Sequence, residues 1–149
     1  MKVRERQAWI IAATVFVTLF LVWGGGVNTG PVFIAPLLKH FGWSRARVST
    51  LGAAGALTVA VSGPPVGWLV DRIEARWVML FGVITTAMGL LTASRADSYT
   101  LLLTAHLMIA IGITAATLLP ASLVIAGWFG EQRGLAMGLT FAGTSLGVR

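Results

Sequence analysis

Cysteine is absent from the sequence, which excludes a disulfide framework, a thiolate nucleophile and a thiolate-ligated metal. Charge is scarce as well. Asp, Glu, Lys and Arg make up 11% of the residues, where soluble domains devote about a quarter, so the chain cannot cover a water-facing surface. The two histidines, His40 and His106, lie far apart in the chain. There is no His-Glu-x-x-His pattern, no glycine-rich phosphate loop and no set of nucleophile, base and orienting group. These absences predict no catalytic residue, no bound metal and no cofactor.

What is present is apolar. Hydrophobic residues make up 56% of the chain and the mean hydropathy is +0.85. The charge-free runs are too long for core helices and long enough to cross a bilayer of about 30 Å, which takes about 20 helical residues. Charged residues partition the sequence into spans over 8–38, 48–70, 77–94 and 99–129, with a fifth over 134–149 expected to be truncated. A basic start followed by Ala8 to Trp23 has the outline of a signal peptide, but the apolar run continues to Leu38 with no convincing small-residue cleavage site, so it reads as an uncleaved first span.

The net charge of +6 and the cluster Lys2, Arg4, Arg6 raise the question of nucleic acid. The basic residues fall between apolar segments without interleaved aromatics, which fits flanking charges against anionic lipid. The lipid bilayer, and no nucleic acid, is the expected partner. Indole rings favour the membrane interface. Trp9, Trp43, Trp68, Trp77 and Trp128 fall near span ends, Tyr99 opens the fourth span, and Trp23 alone falls mid-span. With the N-terminus on the cytoplasmic side, Lys2, Arg4, Arg6, Arg72, Arg76 and Arg133 lie inside, against Lys39, Arg45, Arg47 and Arg95 outside. Six against four is only a small excess in favour of an N-terminus inside; a multi-pass protein of the cell (inner) membrane in that orientation is the expectation.

Small residues recur at helical spacing: Gly26 with Gly30, Gly63 with Gly67, Gly134 with Gly138, and Gly143 with Gly147. Lipid offers little hydrophobic force between helices, so glycine faces that allow close backbone approach serve packing, and they would equally let one bundle rock against another. Pro31, Pro36, Pro64, Pro65 and Pro120 mark expected kinks.

The loop Gly67-Trp-Leu-Val-Asp71-Arg72-Ile-Glu74-Ala-Arg76 joins the second and third spans. Two acids and two arginines at a membrane face suit a local ion-pair network, or else a solvated loop. It resembles the G-x-L-x-D-R-x-G-x-R signature of major facilitator transporters, through Gly67, Leu69, Asp71, Arg72 and Arg76, with Glu74 where that family usually has glycine. The segments Val32-Phe-Ile, Phe41-Gly-Trp-Ser-Arg-Ala-Arg-Val-Ser, Gly63-Pro64, Gly112 through Pro120 to Trp128-Phe129, and Arg133 to Gly147 narrow the resemblance. They are similar to monocarboxylate transporters and the related oxalate/formate antiporters.

The resemblance implies an all-α polytopic membrane fold, with four complete helices and part of a fifth from an N-terminal six-helix bundle. It also implies a secondary transporter of small organic anions, coupled to protons or a counter-substrate. A cytoplasmic gate would be built on Gly67, Asp71, Arg72 and Arg76, its partners in a C-terminal half missing from this chain. Helices one and four line the cavity in that family. Asn28 and Thr29, then Thr104, His106, Thr114 and Thr117, are therefore the polar candidates for a substrate pathway, chief among them Asn28, Thr29, His106 and Thr114. Asn28 stands where mammalian monocarboxylate members carry a lysine, which removes a fixed cation. His106 reads either as a titrating pathway residue or as a neutral hydrogen-bond donor between helices. Two alternatives stay open: a truncated, non-transporting membrane fragment or interaction module, and a major facilitator transporter of sugars or drugs.

Overall fold

The computed structural model describes residues 2–27, 35, 36, 38, 39, 41–130 and 132–146. Helix α1 (Lys2–Val22) ends in a π-helical turn over Trp23–Val27. It is followed by α2 (Arg45–Arg72), α3 (Ala75–Ser94), α4 (Tyr99–Ala116), α5 (Leu118–Trp128) and α6 (Arg133–Leu146). Four stretches, Glu5–Gly25, Arg45–Arg72, Ala75–Ser94 and Tyr99–Trp128, are long and apolar enough to cross a membrane. The described chain is all α.

Local chemistry sets the helix ends. Gly42 takes φ +63, the left-handed conformation that glycine adopts without a Cβ penalty, and turns the chain towards α2. Ser44 then caps α2, its Oγ accepting from the Arg47 N–H at 3.3 Å, and Ser98 caps α4 in the same way through Leu101. At 1.5 Å per residue α2 is about 42 Å long, more than the hydrocarbon. It therefore starts and ends beyond the charge-free run, and Arg45 and Arg72 reach headgroup depth. The helix passes Pro64 and Pro65 without interruption.

The fourth span, where Pro120 marks an expected kink, is broken outright at Thr117, three residues before that proline. Proline has no N–H to donate, and its ring conflicts with the carbonyl four residues back, here Ala116, where α4 stops. Thr117 sits between the two helices at φ −113, ψ −126, with its hydroxyl donating to the Ile113 carbonyl at 2.7 Å. The first span differs too: its α-helix begins at Lys2 and gives way to the π turn at Trp23. Residues 28–34, 37 and 40 lie outside the described residues.

Packing follows small side chains. Helix α4 lies against both α3 and α2, and α1 against α6. A Cβ at Gly82 would stand 2.5 Å from the Ala116 nitrogen and 2.6 Å from the Gly112 carbonyl; one at Gly89 would stand 2.7 Å from Ile109 Cγ1. The α3–α4 backbones are therefore in direct contact, the arrangement favoured where lipid supplies no hydrophobic drive. On α6, Gly143 meets the Phe16 carbonyl in the same manner. Ala8, Ala12, Ile125, Phe129 and Ala136 form a buried cluster, capped by Trp9 edge-on to Phe129 at 5.1 Å. Most span hydroxyls, such as Thr14, Thr58, Thr86 and Thr140, bond to carbonyls of their own helix. Ser62–Thr114, at 3.1 Å, and Thr50–Tyr99, at 2.6 Å, cross between helices α2 and α4. Large apolar side chains face outward, among them Leu57, Val61, Phe81, Ile84 and Leu91, as helices in lipid require.

Candidate functional site

The signature loop is short because α2 ends at Arg72 and α3 begins at Ala75. Ile73 closes α2, its N–H donating to the Leu69 carbonyl at 2.8 Å, and Glu74 starts the next helix at φ −55, ψ 130. That conformation suits any L residue, so a side chain in place of the family's glycine carries no backbone strain.

The four charges do not form one network. Arg76 pairs with Glu74, both largely exposed, and its guanidinium also lies 5.6 Å from the Trp77 ring centroid. Arg72 instead stacks on Trp68 at 4.3 Å. Among the described residues Asp71 has no ion-pair partner and is exposed. The reason is geometric: Asp71 and Arg72 are successive on one helix, and successive residues do not face each other. A carboxylate in the last turn of α2 also meets the negative end of the helix dipole, an unfavourable placement of about 0.3–1 kcal/mol. Asp71 is thus an acid held at the wrong end of its helix, without an ion-pair partner among the described residues.

Of the pathway residues, Asn28 and Thr29 lie outside the described residues, as does Gly147. His106 is half-buried on α4, with Nδ1 at 2.9 Å from the Leu102 carbonyl. A carbonyl only accepts, so Nδ1 is the donor. This bond stays within its own helix. Thr114, also half-buried, donates to Ala110 and accepts from Ser62 across to α2, so its oxygen is engaged in joining helices. Of the glycines predicted to pack, Gly143 is in close contact, while among the described residues Gly63, Gly134 and Gly138 have open space beside them and Gly67 reaches only Leu119 at 3.9 Å. The closest approaches fall at Gly82, Gly89 and Gly112. Their signal was available, since Gly82 and Gly89 are seven residues apart on one helical face.

Two further features emerge from the geometry. Trp23 opens the π turn Trp23-Gly-Gly-Gly-Val27, and its Nε1 is a buried side-chain donor without an acceptor among the described residues, a deficit of about 1–3 kcal/mol. Three successive glycines have the weakest α-helical preference apart from proline, which lets the last turn widen. At the α4 start, Arg47 lies 4.7 Å from the Tyr99 ring and 5.5 Å from that of Trp43. Trp43 stacks on Phe41 at 4.5 Å, giving an aromatic and cationic cluster suited to the headgroup level.

Comparison with known proteins agrees with this arrangement. The Major Facilitator Superfamily profile matches residues 15–148. The chain is 33% identical over 144 residues to MFS-type transporter 1 of Ophiocordyceps sp. (strain BCC 1869), covering 95% of this chain and 32% of that protein. It is 32% identical over 144 residues to monocarboxylate transporter 13 of Rattus norvegicus, covering 93% and 32%. With monocarboxylate transporter 9 of Rattus norvegicus it shares 28% identity over 141 residues, covering 94% and 27%. The chain spans about a third of the length of these relatives. A profile match over nearly the whole sequence, on an all-helical chain with four membrane-length helices, places the chain in the Major Facilitator Superfamily.

Proposed function

We propose that this chain is part of the N-terminal helical bundle of a secondary transporter for small organic anions, working by alternating access, with its N-terminus on the cytoplasmic side. The observation that carries the reading is Asp71. It is exposed at the end of α2, unfavourably placed on the helix dipole and unpaired within the described chain. An acid in that position is poised to accept from a cation or a helix N-terminus of a second bundle when the cytoplasmic side closes. Arg72 and Arg76, engaged by Trp68 and Glu74, hold the surrounding charge in place. The substrate class rests on the relatives named monocarboxylate transporters. His106 in α4 is the candidate for proton coupling, because histidine changes charge between about pH 5 and 8, and a counter-substrate is the other coupling mode. The relatives named transporters support reading the chain as a carrier and not an enzyme.

The test is uptake into proteoliposomes by the full-length protein and its Asp71→Asn variant. The amide keeps the size and loses the charge. We expect normal membrane insertion and uptake at least about tenfold lower, the loss that follows from removing one charge-assisted hydrogen bond. Undiminished uptake by a normally inserted variant overturns the gate assignment.

A further inference from the structure

Tryptophan at a membrane interface needs no explanation, but Trp23 is not there. At 1.5 Å per residue its α-carbon lies about 21 Å along α1 from Trp9, deep in the span. There α1 gives way to a π-helical turn, a local widening that costs regular hydrogen bonding and recurs at functional sites. The turn packs against α4 and α6. Its indole Nε1 is buried, and no acceptor reaches it among the described residues. Buried donors are almost always satisfied, and in hydrocarbon no solvent compensates.

Depth adds a second observation. His106 lies about 10 Å below Tyr99. Because α1 and α4 run in opposite directions, Trp23 and His106 fall at about the same level of a 30 Å core. His106 has spent Nδ1 on the Leu102 carbonyl, while the indole N–H at this level is a buried donor without an acceptor among the described residues.

We propose that Trp23 is a substrate-binding residue, its buried indole N–H donating a hydrogen bond to a carboxylate oxygen of the transported anion. A neutral donor suits that role, because it recognises an anion without a fixed charge buried in the membrane, in a span that has Asn28 and not a cation close by. The assignment rests on the organic-anion reading above. The test replaces Trp23 in the full-length protein with 3-benzothienylalanine, which keeps the bicyclic shape and has sulfur in place of N–H, alongside Trp23→Phe. Proteoliposome uptake of L-lactate, pyruvate, formate and oxalate gives KM and maximal rate. The proposal expects KM to rise about tenfold in both variants, the loss of one hydrogen bond to a charged acceptor, with the benzothienyl protein as heat-stable as the wild type. Uptake by the wild type with an unchanged KM in the benzothienyl protein overturns the role of Trp23 alone. Absence of uptake of all four anions by the wild type overturns the organic-anion reading and this assignment with it.

Discussion

Residue by residue, the chemistry is set less by which side chains are present than by which partners they find. Glu74 and Arg76 pair in the open, and exposed pairs contribute about 0–1 kcal/mol. Glu74→Ala should therefore leave the detergent unfolding temperature within about 2 °C of the wild type; a larger drop would show that the pair holds the loop together. His106 gives a pH prediction. As the candidate for proton coupling, His106 should shape the uptake profile between about pH 5.5 and 7.5, so the wild type and His106→Gln should differ in that profile. Coincident pH profiles would remove His106 from coupling. The residue types at these sites were legible in the sequence, but their pairing was not. Nothing in the order Asp71-Arg72-Ile-Glu74-Ala-Arg76 says that Arg72 stacks on Trp68 while Asp71 stays open, because that choice depends on helix phase and on where α2 stops.

Among the helices, stability rests on direct backbone contact. Gly82 and Gly112 face each other across α3 and α4 with no room for a Cβ. Gly82→Val and Gly112→Val should each destabilise the bundle by at least about 1–3 kcal/mol, the usual cost of overpacking, seen as a lowered melting temperature in detergent. Unchanged melting would mean that the two helices are not in contact there. The spans themselves were plain from the charge-free runs, and most of their edges from tryptophan. The break at Thr117 was foreshadowed by Pro120. The packing faces were less legible, since pairs such as Gly134 and Gly138 have the same spacing whether or not a helix lies beside them. Likewise, a Trp-Gly-Gly-Gly run signals weak helix propensity, yet only the fold reveals that the indole N–H is left without an acceptor.

At the scale of the whole molecule, the lack of cysteine makes the topology directly testable in this chain. The α2–α3 loop and the α3–α4 loop lie at opposite ends of α3. In intact cells Asp97→Cys should react with a membrane-impermeant maleimide, and Glu74→Cys should react only after permeabilisation; the reverse pattern would invert the assigned orientation. Membership of the superfamily fixes the architecture but leaves the cargo to chemistry. The central claim, organic-anion transport, is tested most directly by uptake of labelled L-lactate, pyruvate, formate and oxalate into proteoliposomes holding the full-length protein. Saturable accumulation of at least one of them, absent from protein-free vesicles, is the predicted result. Uptake of sugars or cationic drugs with none of these anions would contradict it.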